Sequence, residues 1–283
     1  MERFAVIGGG QMGRGIAQHA AAQGFSVSLV DVDRNVAHKA LERISEGLER
    51  LVAKGKLSQE EAQNTNSRLE VATIDELHAT DWVVEAVPED FVLKSSILAQ
   101  LDKIITPTCV LCSNTSSISI TRLAACTSHS ERVIGMHFMN PVPIMKLVEV
   151  IRGHLTSNET YSRALQMIER LGKVAVTSTD SGGFIVNRIL MPMINEAIFT
   201  LLEGVANAKD IDQAMKLGTN QPMGPLELAD FIGLDTCLAI LEVMHHEHGD
   251  PKYRPCPLLR RLVAAGCLGR KSGNGFFEYK KLP

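Results

Sequence analysis

The sequence predicts an α/β fold in which a doubly wound sheet carries a helical hairpin insertion and precedes an all-α C-terminal domain. Short β-rich runs alternate with helical segments as far as about residue 181, the order that a parallel sheet with helical crossovers requires. A glycine-rich turn joins the first strand to the first helix, and beyond residue 182 nearly every apolar segment has helical length. We therefore expect two domains, residues 1–182 and 183–283.

The first strand and the turn after it have the pattern of a dinucleotide-binding unit. A β-rich run over residues 3–7 precedes three glycines spaced as G-x-G-x-x-G, and an alanine-rich helix follows. The first glycine permits a tight turn, the second lets a pyrophosphate approach the backbone, and the third lets the helix lie against the strand. N–H groups at the helix start would face the phosphates, which predicts a Rossmann-like sheet. The residues assigned to this phosphate site are Gly8, Gly10, Gln11, Met12 and Gly13.

The second predicted strand, residues 25–30, ends in a carboxylate that bears on the cofactor. Asp31 follows Gly13 by 18 residues, where a carboxylate accepts hydrogen bonds from a ribose 2′-OH and repels a 2′-phosphate. We therefore expect NAD rather than NADP. Arg34 lies near enough to weaken that preference.

A pair of helices lengthens the connection between the second and third strands. The first helix is predicted over residues 35–55, with an apolar stripe and a basic end that includes Lys54. The second begins at Ser58, where Glu61 completes a capping box. Because the pair is longer than an ordinary crossover, it forms the predicted helical insertion.

Three further strands complete the parallel part of the predicted sheet. They are expected near residues 69–72, 82–87 and 108–112. Ligands bind at the carboxyl ends of strands in such sheets, and Glu89, Lys94 and the loop over residues 113–117 fall at that edge.

Residues 134–153 predict a β-hairpin that bears a pair of titratable side chains. Two apolar runs flank a turn over residues 140–143, whose two prolines cannot continue a strand. If the turn is the centre of the hairpin, His137 lies opposite Glu149, with Cβ atoms roughly 4.5–5.5 Å apart. Glu149 shares its face with apolar residues and therefore needs a partner. A histidine supported by a buried carboxylate is a general base; the alternative is a core histidine beside an edge charge.

The region beyond residue 182 is predicted to be helical. A long, nearly all-apolar helix is expected over residues 184–205, and a strand pattern returns only at residues 275–279. Three more helices are expected, at roughly residues 209–217, 225–231 and 236–246. A domain this apolar is expected to bury part of its surface against a second copy of the chain.

The composition is that of an ordinary globular protein, with 45% hydrophobic and 22% charged residues in 283. A net charge of −3 lacks the excess of basic residues that is typical of nucleic-acid-binding proteins. No apolar run approaches the roughly 18 residues that cross a bilayer, and the strand at residue 3 leaves no room for a signal peptide, so we expect a cytoplasmic protein. Cys109 and Cys112 form a C-x-x-C inside an apolar run, without a second pair at metal spacing, and are expected to be reduced core residues with no metal.

Motifs along the whole chain resemble the short-chain-length L-3-hydroxyacyl-CoA dehydrogenases, and within that family the likeness is strongest to the bacterial 3-hydroxybutyryl-CoA dehydrogenases. The motifs are Gly8-x-Gly10-x-Met12-Gly13-x-Gly15-Ile16-Ala17, Ser113-Asn114-Thr115-Ser116-Ser117, His137-Phe138-x-Asn140-Pro141-x-Pro143, Lys146-Leu147-Val148-Glu149, Gly183-Phe184-x-x-Asn187-Arg188, Met223-Gly224-Pro225 and Leu268-Gly269-Arg270-Lys271-Ser272-Gly273-x-Gly275-Phe276. The resemblance implies an NAD-dependent enzyme that interconverts (S)-3-hydroxyacyl-CoA and 3-oxoacyl-CoA in fatty acid or butanoate metabolism, as a homodimer through its C-terminal helices.

The resemblance also implies a role for each matching residue. His137 would be the catalytic base and Glu149 its partner. Ser116 and Asn187 would hydrogen-bond the substrate near the reacting carbon. The implied cofactor contacts are Ser116, Asn140, Glu89 and Lys94, with Asp31 on the adenosine ribose and Lys271 on the nicotinamide side.

The coenzyme A end of the substrate has one implied contact. Lys54 matches a family lysine that meets coenzyme A, whereas Gly47 stands where the family has a serine on the same helix. Two other functions stay open on the sequence. One is a related dehydrogenase that acts on a sugar acid, which the basic end of the helical pair disfavours. The other is a catalytically silent NAD-binding protein, which the presence of both His137 and Glu149 disfavours.

Overall fold

The structure is a computed structural model that describes residues 2–279. The chain forms two compact units, Met1–Ser181 and Gly182–Pro283. The first unit contains eight strands and six α-helices among its described residues. In chain order they are β1 (Arg3–Ile7), α1 (Gln11–Ala22), β2 (Ser26–Val30), α2 (Arg34–Ala53), α3 (Gln59–Asn66), β3 (Leu69–Val71), β4 (Trp82–Glu85), α4 (Phe91–Asp102), β5 (Val110–Ser113), α5 (Ile120–Ala124), β6 (Val133–Phe138), β7 (Leu147–Arg152), α6 (Asn158–Arg170) and β8 (Val174–Thr179).

The strands form one sheet in the order β3-β2-β1-β4-β5-β6-β7-β8. All neighbouring strands are parallel except β6 and β7, which are antiparallel. The doubly wound α/β fold is therefore confirmed, and the sheet extends beyond the predicted hairpin by the parallel edge strand β8. Neither β8 nor the helix α6 before it is predicted by the sequence pattern.

The two faces of the sheet differ in chemistry. One face bears the largest apolar core cluster, in which alternate strand residues such as Val6, Val84 and Ile134 pack with α1, α2 and α6. The other face carries polar side chains at the carboxyl ends of the central strands. Glu85 lies beside Ser113 in the β4–β5 register, and His137 lies opposite Glu149 in the β6–β7 register. Glu85, Ser113, His137 and Glu149 thus share one face of the sheet.

The helical insertion forms as predicted. Asp33 caps α2, whose buried residues Ala37, Ala40, Ile44 and Leu48 follow the expected stripe. Ser58 and Glu61 make the capping box of α3: the Ser58 hydroxyl accepts from Glu61 N, and the Glu61 carboxylate accepts from Ser58 N at 2.9 Å.

The predicted core cysteines are confirmed as buried free thiols at β5. Burial raises the pKa of Cys109 to about 12 and that of Cys112 well above its ordinary value. Both groups are therefore protonated and inert at neutral pH.

The second unit is helical, as the sequence predicts. Its α-helices are α7 (Val186–Leu202), α8 (Ala208–Thr219), α9 (Pro225–Ile232), α10 (Leu234–His248) and α11 (Pro257–Ala264). The predicted start of the long helix at residue 184 is two residues early, because Gly183 and Phe184 have left-handed φ angles of 79° and 50°. Helix α11 was not predicted.

The strand predicted over residues 275–279 is wrong. Within residues 275–279, only Glu278 takes part in a β-bridge, and that bridge to Asn274 is isolated. The buried carboxylate of Asp230 accepts from the N–H groups of Phe276 and Phe277, at 3.0 and 2.9 Å. A side chain thus satisfies the backbone donors that a neighbouring strand would otherwise take.

Within residues 2–279, none of the helices combines the length and the apolar character needed to cross a bilayer.

Candidate active site

The glycine-rich turn between β1 and α1 leaves its backbone open to a ligand. Gly8 has a φ of 109°, which glycine adopts without strain in this tight turn. Its N–H donates to Val30 O at 2.7 Å and continues the β1–β2 ladder by one hydrogen bond. A Cβ at Gly13 would overlap the carbonyl oxygen of Gly8, whereas a Cβ at Gly10 would meet nothing within 4 Å. The third glycine is therefore required for helix–strand packing, and the second faces open space where a phosphate would approach.

A cavity of about 940 Å³ lies over this turn. Asp31 is in its wall, and Asp31 Oδ2 accepts from Gly9 N at 2.7 Å, which fixes the carboxylate at the end of β2. Arg34 and Val36 from the start of α2 also line the cavity. Its volume lies at the upper end of the usual range for ligand pockets, about 300–1,000 Å³. The open backbone, the anchored carboxylate and the apolar wall together fit the adenosine and phosphate part of a dinucleotide.

His137 and Glu149 form a buried pair. His137 Nδ1 lies 2.7 Å from Glu149 Oε2, and the two residues are 6% and 0% exposed. The register that the sequence predicts is therefore confirmed, and the carboxylate has the partner that its burial requires. Because Glu149 engages Nδ1, Nε2 is the ring atom that can exchange a proton with a substrate.

Two hydrogen bonds hold the end of β6 and the turn that follows it. Asn114, just beyond β5, accepts from Phe138 N at 2.9 Å. Asn140 Oδ1 accepts from Gln11 Nε2 at 3.2 Å. The second contact joins two predicted cofactor residues, one from the glycine-rich turn and one from the hairpin.

Glu85 and Lys94 form a buried ion pair under the carboxyl end of the sheet. Lys94 Nζ lies 2.8 Å from Glu85 Oε1 and donates to Val87 O at 3.0 Å. Glu85 also accepts from Ser113 Oγ at 2.7 Å and from Val87 N at 2.7 Å. Lys94 is 1% exposed, so its ammonium is bonded within the protein, and its predicted contact with a cofactor stays a prediction.

Glu89 ties the ion pair to the loop after β5. Its Oε2 lies 3.5 Å from Lys94 Nζ, and its Oε1 accepts from Ser116 N at 2.8 Å. Thr115 Oγ1 and Ser117 N also donate to Oε1, at 2.7 and 2.9 Å. Burial opposes ionisation of Glu89, but the Lys94 charge and these hydrogen bonds outweigh it and lower its pKa. The structure thus brings Glu89, Lys94 and Ser116 together as one cluster.

The remaining predicted residues lie outside that cluster. Lys54 is the exposed C-cap residue of α2, and a Cβ at Gly47 would meet nothing within 4 Å. Asn187 is buried in the first turn of α7, and Lys271 makes an ion pair with Asp235. Both of these belong to the second unit, and their roles at substrate and cofactor stay predictions.

Sequence reasoning missed the positioning role of Glu85. A signal for it was present, because a carboxylate inside the apolar run over residues 82–87 needs a buried partner. Asn114 belongs to the motif over residues 113–117, but nothing near it in the sequence indicates a hydrogen bond with Phe138 N.

Comparison with known proteins connects this geometry to a family. Residues 3–181 match the model of the 3-hydroxyacyl-CoA dehydrogenase NAD binding domain, and residues 183–279 match the C-terminal domain of the same family. The chain is 52% identical over 282 residues to the probable 3-hydroxybutyryl-CoA dehydrogenase of Bacillus subtilis, covering 99% of this chain and 98% of that protein. It is 43% identical over 289 residues to the human mitochondrial hydroxyacyl-coenzyme A dehydrogenase, covering 99% and 92%.

A solved structure agrees with these matches. The (S)-3-hydroxybutyryl-CoA dehydrogenase from Ralstonia eutropha has a TM-score of 0.95 and 49% identity to this chain, covering 99% of this chain and all of that one. The sequence identity and the shared structure extend over both units. The chain therefore belongs to the 3-hydroxyacyl-CoA dehydrogenase family.

Proposed function

We propose that this chain interconverts short-chain (S)-3-hydroxyacyl-CoA, above all 3-hydroxybutyryl-CoA, and the corresponding 3-oxoacyl-CoA. The observation that carries the proposal is the buried His137–Glu149 pair at 2.7 Å in a chain of this family. The names of the relatives from Bacillus subtilis and Ralstonia eutropha support the four-carbon substrate.

His137 supplies the proton chemistry in this proposal. In the oxidising direction, Nε2 takes the proton of the 3-hydroxyl group, and in the reducing direction the imidazolium returns it to the 3-oxo oxygen. Glu149 fixes the ring through Nδ1 and stabilises the imidazolium. By family resemblance, Ser116 and Asn187 would each hydrogen-bond the substrate near the reacting carbon. NAD, when bound, supplies the hydride acceptor and donor.

The first unit would hold the cofactor. The backbone of the glycine-rich turn, from Gly8 to Gly13, would bind the phosphates, and Asp31 would accept from the adenosine ribose. Asn140 and Ser116 would orient the nicotinamide end, with Glu89 and Lys94 fixing the Ser116 loop. Lys271 is proposed to act on the nicotinamide side by family resemblance alone.

One assay separates this function from its alternatives. NADH consumption is measured with acetoacetyl-CoA and with free acetoacetate at equal concentrations. We expect turnover of the thioester with a kcat/KM in the usual enzymatic range of about 10⁴–10⁸ M⁻¹s⁻¹, and little turnover of the free acid. Preference for the free acid would indicate the sugar-acid type of dehydrogenase. NADH binding without turnover of either compound would indicate a silent NAD-binding protein.

Cofactor choice gives a prediction at Asp31. Because its carboxylate is fixed in the cavity wall beside Arg34, we expect kcat/KM to be higher with NADH than with NADPH. Asp31→Ala should lower the ratio of kcat/KM with NADH to kcat/KM with NADPH, because it removes the charge that repels a 2′-phosphate. Asp33→Ala, which removes the cap of α2, is the matched control and should leave the ratio unchanged. A wild-type enzyme that uses NADPH equally well would assign Arg34 to the 2′-phosphate.

The coenzyme A end of the substrate gives a prediction at Lys54. If the exposed ammonium meets the nucleotide part of coenzyme A, Lys54→Ala should raise KM for acetoacetyl-CoA and leave activity with acetoacetyl-pantetheine nearly unchanged. Lys103→Ala, at the end of α4, is the control. Equal losses with both thioesters would mean that Lys54 acts through folding or through the cofactor.

The second unit is also proposed to form the homodimer. Large apolar side chains on its surface support this, because exposed apolar patches usually mark interfaces. They include Ile189, Val205, Leu217 and Phe231. Sedimentation equilibrium of the purified chain tests the proposal, and a monomer at micromolar concentration would reject it. The cytoplasmic location stays a prediction.

A further inference from the structure

Lys173 is a buried lysine that the proposed reaction does not use. It stands between α6 and β8, it is 8% exposed, and burial lowers the pKa of its ammonium. Nζ donates to the carbonyl oxygens of Val142 and Met145, at 2.6 and 2.8 Å. Charge-assisted hydrogen bonds of this kind are about twice as strong as neutral ones, so the ammonium is a strong tie to one short segment.

That segment is the turn of the hairpin that carries His137 and Glu149. Inside the turn, the N–H groups of Ile144 and Met145 both donate to Pro141 O, at 3.0 Å each. The turn therefore closes on itself through one carbonyl group. Lys173 takes two further carbonyl groups of the turn, and Val174 N donates to Lys146 O at 2.8 Å beside them. Lys173 and Val174 thus bond three carbonyl groups in and directly after the turn.

The same turn meets α1, the helix whose N-terminus fits the cofactor phosphates. Val142 is 2% exposed, and a Cβ at Gly15 would lie 3.1 Å from its Cβ and Cγ2 atoms. The absence of a side chain at Gly15 therefore lets the turn lie directly on the helix. One helical turn earlier, Gln11 Nε2 donates to Asn140 Oδ1. The turn is consequently held by two contacts, one with α1 and one with the Lys173 ammonium, and Leu171 O, two residues before Lys173, itself lies 2.7 Å from His19 Nε2 of α1.

We propose that Lys173 is a positioning residue for the cofactor: by holding the turn over residues 140–145 against α1, it keeps Asn140 beside the glycine-rich turn. The proposal rests on the function proposed above, in which Asn140 contacts NAD. It follows that loss of the ammonium should weaken cofactor binding, whereas the acyl-CoA side of the site should be little affected.

Lys173→Met tests this, because methionine keeps most of the apolar stem and removes the charge. We expect the Kd of NADH, measured by fluorescence titration, to rise by about tenfold, the size expected from losing hydrogen bonds to a charged group. KM for NADH should rise in parallel, and KM for acetoacetyl-CoA should stay within about twofold, since only the cofactor side has lost a contact. Lys173→Arg, which retains donors and charge, should recover part of the affinity. Lys103→Met is the control for loss of a lysine charge from an exposed position.

A second variant changes the other contact of the turn, the one with α1. Gly15→Ala adds a methyl group that must push Val142 away from α1, and it should raise the Kd of NADH without removing any charge. A lower melting temperature with unchanged NADH Kd in both variants would overturn the proposal and make Lys173 purely structural. An increase confined to KM for acetoacetyl-CoA would also overturn it. A wild-type chain that binds NADH but does not reduce acetoacetyl-CoA would reject the proposed function, while the Kd comparison would still decide the role of Lys173.

Discussion

Replacing His137 with alanine is expected to lower kcat by about 10²–10⁴-fold, the usual contribution of general acid–base catalysis. The variant should still bind NADH, because His137 is not among the residues assigned to the cofactor. Stopped-flow measurement of NADH consumption with acetoacetyl-CoA, together with fluorescence titration of NADH, checks both parts of the expectation. His154→Ala is the matched control, since His154 is an exposed histidine that follows β7.

Glu149→Gln extends the same test to the partner. The amide keeps the shape of the side chain but removes the charge that stabilises the imidazolium, so kcat should fall far more than acyl-CoA affinity. Because the two residues act as a unit, the double variant should be little worse than His137→Ala alone. Losses that multiply in the double variant would mean that Glu149 works independently of His137. Unchanged kcat with a lower melting temperature in Glu149→Gln would make the carboxylate structural.

The largest effect on stability is expected at Lys94. Lys94→Met leaves the carboxylate of Glu85 buried without its counter-charge, and breaking a buried ion pair in this way typically costs about 3–5 kcal/mol. Urea unfolding followed by linear extrapolation to water measures the change in the free energy of unfolding. Lys103→Met, which removes an exposed lysine at the end of the same helix, should change it by less than about 0.5 kcal/mol.

A second substitution shows whether the cost arises from Glu85. In the Lys94→Met background, Glu85→Gln removes the unpaired charge, so part of the stability should return. Val87 N and Ser113 Oγ donate to different oxygens of Glu85; in the glutamine variant the amide oxygen can accept from Val87 N, and the amide NH2 can donate to the Ser113 hydroxyl. A loss below about 1 kcal/mol in Lys94→Met would contradict a buried pair of this strength. If the double variant regains no stability, the loss in Lys94→Met arises from the missing contacts of Lys94 with Val87 O or Glu89.

Much of the first unit could be predicted because the deciding signals are local. The spacing of Gly8, Gly10 and Gly13 between a strand and a helix indicates a phosphate-binding turn within a few residues of chain. The prolines at 141 and 143 define the hairpin centre, and the two-residue period of strands then places His137 opposite Glu149. Capping by Ser58 and Glu61 is likewise decided within one helical turn.

Strand β8 and the strand wrongly predicted at residues 275–279 show where local signals fail. The period-two pattern of β8 is weak, because it is an edge strand with exposed residues on both faces. At residues 275–279 the aromatic residues have high β propensity. The carboxylate of Asp230, more than 40 residues earlier in the chain, takes the N–H groups that a strand would need.

The class of the fold, the dinucleotide site at the glycine-rich turn and the register of the His137–Glu149 pair follow from the sequence, since each depends on spacing within one or two neighbouring elements. The side chains that support that site depend instead on contacts between segments far apart in the chain. The sequence places Lys94 at the ligand-binding edge of the sheet, yet its ammonium is buried against Glu85. Nothing in the sequence near Lys173 indicates a partner, yet its ammonium bonds carbonyl groups about 30 residues away. Such partners meet because the order of strands in the sheet brings distant segments together, and burial then requires each charge to find one.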